Sequence, residues 1–165
     1  MANLAWQKLR NLENSFAEFI QTAVTNAGLT VLDQKGQPKA VTVHVGYEFD
    51  TTLSLPCIQI YIDGKISPRL SVGSNLRLNS YLLIIDIRAL DKGSQLDLTE
   101  WVTDLINDGF DVYNYAPNPS DPSNPIKTLM GYVNIDFVSN TPLNFGTSAE
   151  MYDKYRQNIS ISVDF

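Results

Sequence analysis

The stretch SYLLIIDIRALDKGSQLDLTEWVTDLINDG, residues 80–109, decides the fold. It opens on a very apolar strand, Tyr81 to Ala89, turns tightly, and continues as an amphipathic helix. Successive strand side chains point to opposite faces, so Leu82 and Ile84 face one way while Tyr81, Leu83, Ile85 and Ile87 face the other. Both faces are apolar, which predicts a strand covered on both sides along its middle, because a strand with one wet face alternates apolar and polar residues. The helix, expected from about Ser94 to Asp108, offers Leu98, Trp101, Val102, Leu105 and Ile106 as one cover. Ser94 with Asp97 resembles a capping box, and Gly109 ends the helix. The second face requires a curled sheet or a neighbouring subunit.

Working toward the amino end, Leu9, Leu12, Phe16, Phe19, Ile20, Ala23, Val24 and Ala27 recur at spacings of three and four. They predict a first helix with one buried stripe, stopped by Gly28. Extended pieces follow at Leu29 to Leu32 and at Val41 to Phe49, with a turn at residues 34–38, and Cys57 to Asp63 is a second strong strand. Toward the carboxyl end, Met130 to Ser139 and Tyr155 to Phe165 read as strands. In the last of these, Ile159, Ile161, Val163 and Phe165 alternate with Asn158, Ser160, Ser162 and Asp164. The order predicts one α+β domain over residues 1–165, a mostly antiparallel β-sheet with two amphipathic helices packed on one face. Two segments stand apart. GKISPRLSVGSNLRLN, residues 64–79, carries Lys65, Arg69 and Arg77 and no acid, as a solvated loop or a hairpin arm. APNPSDPSNP, residues 116–125, is an exposed proline-rich loop.

Length and composition narrow the function. A chain of 165 residues buries roughly 70% of its unfolded surface and needs no disulfide. The one cysteine, Cys57, lies in an apolar run and fits a small buried hydrophobe. A formal charge of −6 disfavours a dedicated nucleic-acid binder, which works by neutralising phosphates. The amino end lacks the continuous apolar run of a secretion signal, and no segment approaches the ~20 apolar residues of a membrane span. A protein soluble as made is expected, and the sequon at Asn158 is then idle.

Chemistry is sparse. His44, the only histidine, sits on the polar side of a strand beside Thr42, as an exposed or locally hydrogen-bonded residue. One His and one Cys supply neither a zinc site nor a nucleophilic pair, and no glycine motif cradles a phosphate. No cofactor, no metal and no enzymatic activity are expected. Asp97, Glu100, Asp104 and Asp108 recur at helical spacing along one side of the second helix. That stripe is a solvated face, or a face that attracts a basic partner surface.

An amino-terminal helix, an extended region, a long strand ending in IDIRALD, a short turn, LTEWVTDLINDG and the closing strand YRQNISISVDF together resemble the tail terminator and related neck proteins of tailed bacteriophages. The resemblance runs over about residues 4–165. It implies a structural virion protein of the neck that assembles as a hexameric ring on the tail tube. Such a ring stops tube polymerisation and joins the tube to the head-side connector, while genomic DNA passes through the lumen without sequence-specific binding. The implied partners are further copies of the chain, the tail tube protein and the connector or adaptor. The implied location is the virion, and the host cytoplasm during assembly. On this reading Tyr81, Leu83, Ile85 and Ile87 are candidates for the interface between subunits. Lys65, Arg69 and Arg77 form an arm toward neighbour, tube or lumen, and Asp97, Glu100, Asp104 and Asp108 face a partner. The competing expectations are a head-completion or adaptor protein of the same neck, and a non-viral α+β module that holds a peptide or small ligand with loops 64–79 and 116–125.

Overall fold

The first helix starts where the apolar stripe starts to be regular. In a computed structural model, which describes residues 7–33, 35–46, 54–66, 79–107, 109–143 and 154–164, α1 runs Lys8–Ala27. Gly28 closes it in the left-handed conformation at φ 55°, its N–H donating to the carbonyls of Thr25 and Val24. The stripe that faces inward is Leu12, Phe16, Ile20 and Val24, while Leu9 is exposed. A β-hairpin follows, β1 (Thr30–Leu32) against β2 (Pro38–Ala40). Asp33 builds its turn by accepting from the N–H groups of Lys35 and Gln37, each at 2.8 Å.

The main sheet has five strands in the order β3-β4-β5-β9-β8: β3 (Thr42–Val45), β4 (Cys57–Ile66), β5 (Ser80–Arg88), β8 (Ile135–Leu143) and β9 (Arg156–Asp164). Only the β3–β4 pair is parallel; every other neighbour is antiparallel. The apolar strand of residues 80–88 therefore occupies the centre, and the carboxyl-terminal strand pairs along its whole length, from Ser80 opposite Asp164 to Arg88 opposite Arg156. The turn after β5 carries Asp91, whose carboxylate accepts from Ser94 N at 2.8 Å and caps α2 (Lys92–Leu105). Asp91 thus takes the capping role expected of Ser94.

Register fixes which side chains share a face. Ile58, Ile60 and Ile62 of β4, Leu83, Ile85 and Ile87 of β5, and Ile159 and Ile161 of β9 stand opposite one another. They join Leu12, Phe16 and Ile20 of α1 with Leu98, Val102 and Ile106 of α2 in one core. Both helices therefore pack on the same sheet face, in the α+β fold expected from the order of elements.

A third layer piece was not foreseen. β6 (Phe110–Ala116) and β7 (Ile126–Val133) form a separate antiparallel hairpin whose connection is the proline-rich stretch 117–125. Met130 to Ser139, expected as one strand, divides at Asn134 between β7 and β8. Val112 and Val133 are fully buried, and the Phe110 ring packs tilted at 45° against Phe16 with centroids 4.8 Å apart, so the hairpin seals the outer side of α1. Ser15 of α1 accepts from Tyr113 N at 2.8 Å and locks the two elements together. Gly109, at φ 97°, lets the chain enter β6: a Cβ there would lie 2.1 Å from the Val133 carbonyl oxygen. Gly109→Ala is expected to lose at least about 2 kcal/mol, read by denaturant unfolding, because both the backbone conformation and the space exclude a methyl group.

Candidate interaction surfaces

Four groups of residues stood out in the sequence. Tyr81, Leu83, Ile85 and Ile87 are buried, the last three with no accessible surface. They belong to the chain's own core beneath α1 and α2, so the expectation that they meet a neighbouring subunit is corrected: the chain covers that face itself. The face that carries no helix among the described residues is the opposite one, with Leu82, Ile84, Asp86 and Arg88. Lys65 ends exposed on β4, its Nζ 5.6 Å from the centroid of the Tyr81 ring. Arg69 and Arg77 lie outside the described residues, as does Asp108. Asp97, Glu100 and Asp104 are exposed along one side of α2. His44 contacts Thr42 Oγ1 through Nε2 at 3.0 Å, a local hydrogen bond on an edge strand.

The helix-free face holds the most charged interior of the molecule. Asp86 is fully buried against two arginines, Arg88 two residues along the same strand and Arg156 on the neighbouring β9. Arg156 Nε donates to its two carboxylate oxygens at 2.7 and 2.9 Å, and Arg88 Nε donates at 3.3 Å. Gln59 on β4 extends the cluster: its oxygen accepts from Arg88 at 3.2 Å, and its amide donates to the Gly46 carbonyl at 2.7 Å. Cross-strand register explains the meeting, because Gln59, Asp86 and Asn158 are directly opposite one another, with Cys57, Arg88 and Arg156 the next row. The sequence carried the signal, since Asp86 and Arg88 fall on the same side as Leu82 and Ile84. Alternation alone did not say that Arg156 would arrive beside them from the far end of the chain.

Farther along this face the lining becomes small and polar. Ser80 and Ser162 share a hydrogen bond at 2.7 Å, and Ser160, Asn158 and Ser139 are half-buried. Asn158 Oδ1 is buried with no hydrogen-bond partner. Cys57 lies in the row of Arg88 and Arg156 with no accessible surface, and burial pushes its thiol up to about 11. A thiol reagent at neutral pH is expected to leave Cys57 unmodified in the folded protein and to modify it on unfolding; rapid modification of the native chain would contradict this burial.

Two grooves flank the helices. One, of about 560 Å³, separates α1 from the β6–β7 hairpin and is lined by Phe19, Ala23, Phe110, Tyr113 and Tyr132. Glu18 borders it, paired with Lys127 and accepting from the Tyr115 hydroxyl at 2.7 Å. Burial works to raise the Glu18 carboxyl, but the hydrogen bonds from Lys127 and Tyr115 outweigh it and hold the group below its ordinary value. Burial and the same carboxylate push the Tyr115 phenol up to about 12. The second groove, of about 530 Å³, lies between β1 and the start of α2, with Leu29, Leu32 and Trp101 as its floor and Asp33, Asp91 and Asp97 at its rim.

Among the described residues no group of three or more His, Cys, Asp or Glu side chains is placed to hold a metal ion. Among them too, no helix is long and apolar enough to cross a membrane. What the structure offers is surface: one sheet face without helices, an exposed hairpin, and two grooves. Comparison with protein-family models and with curated proteins found no match to this chain.

Proposed function

We propose that this chain is a structural subunit of the neck of a tailed bacteriophage, acting as the tail terminator. Copies form a ring that caps the tail tube, stops its polymerisation and presents its other side to the head connector or adaptor. The observation that carries this reading is the one-sided sheet. Both helices pack on the face of Ile58, Leu83, Ile85 and Ile159, and the reverse face bears Leu82, Ile84 and a row of serine and asparagine side chains with no helix over it among the described residues. Such a face supports contact with a further protein surface, and the polar lining beside Asn158 favours a specific, hydrogen-bonded fit over a greasy one.

The strand, turn and helix that carry the sequence resemblance fall on β5, Asp91 and α2 as one continuous unit. Mechanism on this reading is interface energy alone. The ring matches the last tube ring on one side and withholds, on the other, the surface that would template the next. The net charge of −6 suits a lumen along which DNA slides without being gripped.

The test is co-expression with the tail tube protein of the same phage. Tubes of bounded length with a ring at one end are expected; an unchanged distribution of tube lengths, with this chain left free in solution, would overturn the reading. The groove between α1 and the β6–β7 hairpin favours a second reading, a peptide-binding module, through its aromatic lining of Phe19, Tyr113 and Tyr132. Saturable binding of peptides in that groove by a chain that ignores tubes would favour it.

A further inference from the structure

We propose that the groove between β1 and α2 receives the basic segment 64–79 of a second copy of this chain, so that subunits join head to tail. The groove has an apolar floor, Leu29, Leu32 and Trp101, and an acidic rim, Asp33, Asp91 and Asp97. Leu32 is 59% exposed there. Glu100 and Asp104 continue the rim as exposed acids along α2, and neither they nor Asp97 form an ion pair among the described residues. The floor and rim together ask for a ligand that is basic and apolar at once.

The chain itself contains one such stretch. GKISPRLSVGSNLRLN holds Lys65, Arg69 and Arg77 with no acid, and sets Leu70 and Leu76 directly beside the two arginines. In a chain of net charge −6 that composition is the complement of the groove.

Topology decides that the occupant comes from another copy. Ile66 of β4 pairs with Ser80 of β5, which places segment 67–79 at one end of the sheet. Asp91 follows Arg88 at the other end of β5, eight residues farther on, about 27 Å away at the rise of an extended strand. Arg69 is three residues beyond Ile66, and Arg77 three before Ser80, so each is tethered within about 10 Å of backbone of that first end. That tether is too short for either residue to span the remaining distance to Asp91 of its own chain, so the occupant of the groove is assigned to a neighbour. A contact between opposite ends of a subunit is heterologous: it propagates from copy to copy, and it closes into a ring when the rotation per step allows. The proposal deepens the ring reading above and rests on it for closure, but the contact itself concerns only two surfaces of this chain.

The experiment is a charge swap on the purified full chain. One variant carries Asp97→Lys and Glu100→Lys, both at exposed positions, the other Arg69→Glu and Arg77→Glu; circular dichroism checks folding of each. Mass is measured by sedimentation at low salt and again at about 0.5 M salt, where charges beyond a few ångströms are screened. The wild-type chain is expected to associate at low salt and to lose association as salt rises. Each variant alone should associate at least tenfold more weakly. An equimolar mixture of the two variants should recover the wild-type mass, because every contact in an alternating assembly again joins opposite charges. A wild-type chain that stays monomeric, variants that associate as well as wild type, or a mixture that does not recover would each overturn the contact. A chain that stays monomeric alone yet caps tail tubes leaves the neck reading standing and removes this contact; a chain that passes the swap but ignores tubes does the reverse.

Discussion

Ile85→Asp should abolish folding rather than release folded monomers. Ile85 has no accessible surface and stands in the central strand, opposite Ile60 on one side and Ile159 on the other. The substitution forfeits the burial of a large aliphatic side chain, leaves a void beneath the helices, and places a carboxylate where no partner waits. The combined cost exceeds about 5 kcal/mol, comparable to the whole stability of a domain of this size. Circular dichroism and limited proteolysis of the expressed variant read the outcome. A folded, soluble, monomeric variant would contradict the core assignment and return this face to an interface. The control is Leu82→Asp on the opposite side of the same strand, half-buried and outside the core, which should stay folded.

The second large effect belongs to Asp86. One carboxylate, that of Asp86, is shared by Arg88 and Arg156. Replacing Asp86 by Asn keeps the shape and removes that shared compensation from two guanidinium groups buried to 7% exposure or less. Breaking a buried pair in this way costs about 3–5 kcal/mol, far above the worth of a surface ion pair. Urea denaturation should show the midpoint of Asp86→Asn falling sharply with an unchanged slope. Replacing Asp86, Arg88 and Arg156 together by apolar residues of similar size should regain much of the loss, since no uncompensated charge remains. If Asp86→Asn unfolds at the wild-type midpoint, the cluster is not a structural centre.

Much of this arrangement could be read from residues in order, and the limits are instructive. The two helices and the strands at 57–63, 80–89 and 155–165 declared themselves by spacing, because burial on one face leaves a period in the sequence. The neighbours of β5 did not, since pairing β4 and β9 with it joins segments far apart in the chain and periodicity carries no partner label. The misassigned interface has the same origin. Alternation showed that β5 has two apolar faces, but which one the helices cover depends on how α1 and α2 close over Ile85, a tertiary fact. β6 was missed because FDVYNYA mixes charge and aromatics without clean alternation: Phe110 and Val112 serve the core, while Tyr113 and Tyr115 turn to the groove and to Glu18. The cap shifted from Ser94 to Asp91 because two acceptors three residues apart both suit a helix start, and the chain's exit from β5 chose between them. Arg69, Arg77 and Asp108 fall outside the described residues, so the basic segment and the end of the acidic stripe rest on sequence and on the strand ends that hold them.

The central claim is that copies of this chain build a ring. Light scattering of the purified protein at low salt, with electron images of the same fraction, tests it most directly. The account predicts a particle of about six chains of 18.4 kDa with a central hole. A closed two-fold dimer without a hole, or a chain that stays monomeric even when mixed with tail tubes, would contradict it.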